Sequence, residues 1–223
     1  MSPARRSTRD RPAKPPLSED VVVDAALAIL KSEGLDAVSM RRVATALDTG
    51  AGSLYVYVSG RDGLLQAMQD RVMATVELDP PDPAHWHTQL HTLLARMHGA
   101  LVAHPGIAAT TLAIAPRSEA ALLLQENLLG ILLAGGLDAQ RAAWATDVFA
   151  ALVTHAAVED DVRRTGHQEL GAELRQTFAS LPTDRFPLIT AYATQLVAGD
   201  AAQRFRFAVD VVIDGLLAGN GKA

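Results

Sequence analysis

Two groups of residues in the sequence have types and spacings suited to chemistry. The first is a run of hydroxyls, Ser53, Tyr55 and Tyr57, flanked by the guanidinium groups of Arg41, Arg42 and Arg61. Hydroxyls and Arg side chains of this kind bind phosphate oxygens, and Arg adds charge to the contact. The second is His87, His91 and His98, which fall at i, i+4 and i+11 on one stripe of a helix. Such a row reads either as a metal site or as a polar wall of a ligand pocket. Two imidazoles suit zinc, but no carboxylate at matching spacing completes a ligand set. The row is therefore read as exposed or lodged between helices, and no metal is assigned. Cysteine is absent, which excludes disulfide scaffolds, thiol catalysis and Cys-based zinc sites. No acid–base pair or nucleophile recurs at a telling spacing, so no catalytic residue and no cofactor is assigned and the chain is not read as an enzyme.

The composition says what kind of body carries these residues. A chain of 223 residues, 49% hydrophobic and 20% charged, with mean hydropathy +0.13, can bury a full core in one or two domains. No apolar stretch approaches the roughly 18 to 20 residues of a membrane helix, and the basic N-terminus lacks an apolar signal core. The expectation is a soluble, cytoplasmic protein with no membrane partner. The net charge of −5 is unevenly spread. Residues 1–75 carry ten Lys and Arg against nine Asp and Glu, and residues 76–223 carry ten against sixteen. A basic front on an acidic body implies that a polyanion is met at one end only.

The elements that position the first group are short helices. Residues 1–17, with Arg5, Arg6 and four prolines, read as an extended basic arm. Ser18 is placed to cap a helix containing Val22, Val23, Ala26, Leu27 and Leu30, which Gly34 stops. Val38-Ser39 opens a second helix with Val43 and Leu47 facing inward. Asp48-Thr49-Gly50 is a turn. A brief helix is expected over 51–58, and Ser59 with Asp62 is expected to cap a longer one carrying Leu65, Met68, Val72 and Val76. Asp79-Pro80-Pro81-Asp82-Pro83 marks a boundary between a unit over 18–78 and a larger one over 84–223. The second unit is Leu- and Ala-rich, with helical segments near 84–103, 105–114, 118–134, 138–165, 184–198 and 200–218. No strand alternation appears, and the fold class is all-α.

Three short helices with a tight turn between the second and third form a helix-turn-helix unit, whose third helix lies in the DNA major groove. Leu54 and Val58 anchor that helix, while Gly52, Ser53, Val56 and Tyr57 face outward and Tyr55 lies at the edge. Val38-Ser39-Met40-Arg41-Arg42-Val43-Ala44, Ser53-Leu54-Tyr55-Val56-Tyr57-Val58 and Arg61-Asp62-Gly63-Leu64-Leu65 resemble, in order and spacing, the DNA-binding domain of the TetR family of transcriptional repressors. Arg204-Phe205-Arg206-Phe207-Ala208-Val209-Asp210 through Ile213-Asp214-Gly215-Leu216 resembles the last helix of members with a tetracycline-repressor-like ligand domain.

That resemblance implies roles residue by residue. Ser39 matches a phosphate-contacting position at the start of the second helix, and Arg41 lies next to the groove. Thr49, Ala51, Gly52 and Ser53 match the front of the recognition helix, and Tyr55 a tyrosine that binds phosphate. Tyr57 stands where many members have histidine, Arg61 where lysine is usual, and Asp48 where glycine is common. Arg42 is read as a solvated helix residue. The family further implies a homodimer reading a palindromic operator in double-stranded DNA, with dimer contacts from 138–165 and 200–218. A small, mostly apolar effector would bind in the C-terminal bundle and release the DNA. The polar and aromatic candidates to orient it are His98, Asn127, Trp144, Thr146 and His155, while Glu159-Asp160-Asp161 with Arg163-Arg164 reads as a solvated helix end. Two other classes stay open: a DNA-binding protein without ligand response, and a small helical enzyme.

The arm supplies a test of its own. Five basic residues over 1–16, held extended by proline, suit a backbone or an adjacent minor groove. Deleting residues 1–16 is expected to lower operator affinity while leaving the oligomeric state unchanged. Equal affinity with and without the arm at moderate salt would remove it from the interface.

Overall fold

The computed structural model describes residues 16–111, 118–164 and 170–218, and these form helices joined by turns. Arg5 and Arg6 lie outside the described residues. The chain opens with α1 (Glu19–Glu33), a 3-10 turn (Leu35–Ala37), α2 (Met40–Ala46), α3 (Ala51–Leu54) and α4 (Gly60–Met73). It continues with α5 (Trp86–Val102), α6 (Ile107–Thr111), α7 (Glu119–Ala134) and α8 (Ala139–Arg164). It closes with α9 (Leu170–Ala179), α10 (Pro187–Ala191), α11 (Ala193–Val197) and α12 (Ala201–Ala218).

The N-terminal helices start where serine hydroxyls take up orphan backbone donors. Ser18 Oγ accepts from Val21 N at 3.3 Å, and Ser39 Oγ accepts from Arg42 N at 3.2 Å. Ser118 Oγ does the same for α7, accepting from Ala121 N at 3.2 Å, while its own proton goes to Asp70 Oδ1 on α4 at 2.7 Å. The stripes Val22, Val23, Ala26, Ile29 and Leu30 of α1, Val43 of α2 and Leu54 of α3 bury together with Leu64, Leu65 and Met68 of α4. The C-terminal core centres on α5, α7 and α8, with Leu90, Leu94, Ile131, Leu132 and Phe149 fully enclosed. Helix α4 packs on α1 on one side and on α5, α6 and α7 on the other.

Four local expectations change. The helix after the turn ends at Leu54, not Val58, because Tyr57 N closes onto Leu54 O at 2.9 Å in a tight turn. Its aromatic and β-branched run Tyr55-Val56-Tyr57-Val58 loses rotamer freedom in a helix, so a single turn is all that persists. Ser59 makes no capping hydrogen bond to α4. Helix α9 falls in a stretch with no helical segment assigned from sequence, and none of its residues 171–179 is buried. The segment 184–198 breaks into α10 and α11 at Tyr192, whose φ of −110° and ψ of 19° leave the helical region.

Leu54 is 0% exposed and is the single buried residue of α3, whereas Val56 two positions on is 80% exposed. Leu54→Ala is therefore expected to cost about 2–5 kcal/mol in chemical denaturation, through lost transfer energy plus a cavity. Val56→Ala is expected to stay within about 0.5 kcal/mol of wild type. Comparable costs at the two positions would contradict this seating of α3.

Candidate nucleic-acid interface

The turn between α2 and α3 is built on Asp48, whose φ of 49° makes it the one non-glycine with positive φ among the described residues. Aspartate visits the left-handed region more readily than most residues because its short polar side chain bonds locally. Thr49 N then reaches back to Ala44 O at 2.9 Å, which closes the turn and sets α3 across α2.

Seated on Leu54, α3 turns one side to solvent. Gly52 and Ser53 are exposed, Ala51 and Thr49 half-buried, and Tyr55 is 59% exposed. The Tyr55 ring lies over the start of α4, with Cε1 3.8 Å from where a Cβ on Gly60 would stand. Tyr57 is half-buried and packs on the core. The outward residue of the pair is thus Tyr55, and the shortened helix is the reason, since the turn at 55–58 swings Tyr57 back.

The basic residues divide sharply. Arg42 gives its guanidinium to Glu33 on α1, with Nε 3.1 Å from Oε2 and an amino nitrogen 2.5 Å from Oε1. This hydrogen bond holds the Glu33 carboxyl below its usual range and raises Arg42. Arg71 is likewise paired with Asp20 and Asp24 of α1. Arg41 is exposed and enters no ion pair among the described residues. Arg61, also exposed, donates Nε to Val38 O at 3.2 Å. That bond draws the first turn of α4 against the residue preceding Ser39. The Ser39 hydroxyl accepts from Arg42 N and keeps its own proton to donate. Ser39, Arg41, Tyr55 and Arg61 therefore gather hydroxyls and two uncommitted charges around the α2–α3 unit.

The residues considered for a ligand lie apart from one another. Asn127 Nδ2 donates to Asp79 O at 2.8 Å and straps the proline-rich linker to α7, while Gln89 of α5 accepts from Asp82 N and donates to Pro80 O. Thr146 is buried and spends its hydroxyl on Ala143 O of its own helix at 2.7 Å. Trp144 is 65% exposed, and His155 is exposed on the same long helix. His98 Nε2 sits 3.1 Å from Asp160 Oδ2 and its ring stacks on Phe205 at 5.4 Å. Asp160 and Asp161 are thereby drawn into the bundle, Asp161 Oδ2 accepting from Gly106 N at 2.7 Å, while Glu159 stays exposed and pairs with Arg163 of its own helix. His87 and His91 face Asp210 of α12.

A cleft of about 240 Å³ opens between the end of α4 and the start of α7, lined by Met73, Val76, Leu78, Ala120, Leu123 and Leu124 among others. None of the polar candidates lines it. Sequence reasoning missed it because its wall comes from helices that only the fold brings together.

Residues 22–68 match the model for bacterial regulatory proteins of the tetR family, and residues 79–219 match the tetracyclin repressor-like C-terminal domain. The chain is 30% identical over 216 residues to the HTH-type transcriptional repressor DrrR1 of Streptomyces coeruleorubidus, covering 92% of this chain and 79% of that one. Apo ActR from Streptomyces coelicolor superposes with a TM-score of 0.86 at 35% identity, covering 93% of this chain and all (100%) of that one. ActR in complex with actinorhodin gives 0.86 at 34%, covering 93% and 98%. No helix among the described residues is long and apolar enough to cross a membrane. The helix-turn-helix geometry, the exposed hydroxyl and guanidinium groups and these likenesses over nearly the whole length agree: the chain belongs to the TetR family of DNA-binding transcriptional regulators.

Proposed function

We propose that the protein is a homodimeric repressor that reads a palindromic operator and releases it on binding a small, mostly apolar effector. The observation that carries the DNA half is the Arg61–Val38 bond, which places the guanidinium at the start of α4 beside the hydroxyl at the start of α2. Ser39, Tyr55 and Arg61 then grip phosphates, and Arg41 with Thr49, Ala51, Gly52 and Ser53 meets the groove. Ala51 and Gly52 offer little hydrogen-bonding chemistry, so DNA shape contributes to discrimination.

Dimerisation is supported by an apolar face left open on the bundle. Trp144, Val148 and Val162 of α8 are 65%, 44% and 49% exposed, and Phe207 and Val211 of α12 are 70% and 52% exposed. Helices α8 and α12 pack on each other, so the two stripes lie on neighbouring helices. Exposed apolar surface of this kind marks a protein interface. Trp144 and His155 belong to that surface in this reading.

The effector reading rests on the α4–α7 cleft. Its walls are mostly aliphatic, which suits an apolar ligand. The ActR structure with actinorhodin shows that a relative of this fold takes up a small molecule. A ligand seated between α4 and α7 acts on the helix that carries Arg61, so it favours a state whose two reading heads no longer match the half-site spacing.

Operator binding should weaken steeply with salt, because each neutralised phosphate releases counterion. Arg61→Ala is expected to lower specific and non-specific affinity together and to flatten the log–log salt slope by about one unit per subunit. An unchanged slope would remove Arg61 from the contacts.

For the sensor, operator affinity is measured with and without a library of apolar compounds. An effector should shift it about 5- to 150-fold, the usual range of coupling. Ala120→Phe, which fills the cleft, should abolish the shift while unliganded affinity stays near wild type. A response surviving Ala120→Phe would move the effector elsewhere, and no response to any compound would reduce the protein to a static DNA binder.

A further inference from the structure

One cluster is not used by DNA, effector or dimer contacts. His87 and His91 stand one turn apart on α5, with ring centroids 4.9 Å apart. Asp210 comes from α12, 119 residues further along than His91, and its Oδ1 lies 2.8 Å from His91 Nε2 and 4.0 Å from His87 Nε2. One nitrogen or oxygen from each residue lies within 4.8 Å of those of the other two. We propose that His87, His91 and Asp210 form a binding site for a divalent transition-metal cation of the zinc class, and that the bound ion clamps α5 to α12.

The geometry and donor chemistry both favour this. A tetrahedral ion with bonds of about 2.0–2.1 Å holds its ligand atoms about 3.3 Å apart. The distances here straddle that value, so side-chain rotations of about an ångström seat the ion without moving either helix. Side-chain exposures of 17% for His91, 52% for His87 and 44% for Asp210 describe one inner ligand and two at the water's edge. A hydrated ion can reach such a site, and water completes its fourth position. Trp86 presents its edge to the His87 ring at 5.6 Å and packs beside that ligand. Two imidazoles and one carboxylate suit Zn²⁺, Co²⁺ or Ni²⁺, whereas Ca²⁺ and Mg²⁺ seek all-oxygen shells. The third histidine of the stripe, His98, is occupied with Asp160 and Phe205 and is not a ligand.

The consequence is mechanical. Helix α5 packs on α4, and α12 packs on α8. An ion across the gap ties the helix that borders the reading head to one that bears the open apolar face. Because it binds the folded chain, it also raises thermal stability.

The test uses the full chain, stripped with chelator and titrated with Zn²⁺ by calorimetry and by thermal melting. One saturable site per subunit is expected, with Tm rising about 5–10 °C at a hundredfold excess over Kd. Co²⁺ in place of Zn²⁺ should give the visible absorption of a tetrahedral site, and Mg²⁺ should not compete. His87→Ala, His91→Ala and Asp210→Asn should each weaken Zn²⁺ binding by more than about tenfold, the lower end of what even outer-shell partners contribute. His85→Ala, two residues away and paired with Asp82, should leave it unchanged. The proposal is overturned if wild type shows no saturable Zn²⁺ binding, in which case the trio is only an interhelical His–Asp pair. It is equally overturned if His87→Ala and Asp210→Asn, both at half-exposed positions that keep their fold, bind as wild type does.

Discussion

The seating of α4 governs the rest of the molecule. This 14-residue helix is about 21 Å long at 1.5 Å per residue, and it belongs to both halves of the chain. Its first turn carries Arg61, bonded to Val38 O; its last buries Val72 and Met73 and borders the cleft with α7. Arg71 pins it to Asp20 and Asp24 of α1, and Asp70 accepts from Ser118 at the start of α7. A rigid rod held at both ends transmits a tilt where a flexible linker would absorb it. The linker over 79–83 adds to this rigidity, since Asn127, Gln89 and Arg96 fasten it to the bundle.

Charge is managed by the same logic. Two of the four arginines of the N-terminal helices are spent on carboxylates of α1, Arg42 on Glu33 and Arg71 on two aspartates, which leaves Arg41 and Arg61 at the outward face. An exposed ion pair contributes little stability, so the effect of the Glu33–Arg42 pair is chiefly to neutralise one cation of α2. The negative excess, meanwhile, lies in residues 76–223, which carry sixteen Asp and Glu against ten Lys and Arg. A net charge of −5 is thus compatible with nucleic-acid binding because the field is local and ordered.

Much of this was readable from neighbouring residues. Serine caps at 18 and 39, the apolar stripes of α1 and α4, and the Asp48 turn are interactions within one or two turns of chain, so residue type and spacing specify them. The order of the motifs then carried the family. Spacing alone misassigned the Tyr55–Tyr57 pair, because a helical wheel assumes a helix and α3 ends at Leu54.

Other features were decided only when helices crossed. That Arg42 meets Glu33, that Asn127 holds the linker carbonyl of Asp79, and that Asp210 completes a set with His87 and His91 all depend on contacts between distant segments. No carboxylate near the histidines in sequence announced the last of these, since its partner arrives 119 residues later. The cleft between α4 and α7, and the apolar stripes left open on α8 and α12, are likewise properties of packing. Local sequence determined most of the helices and the caps at Ser18 and Ser39 because those bonds close within three or four residues. Tertiary structure decided which polar groups were satisfied and which were left to act, because that depends on what the crossing of helices brings within a few ångströms.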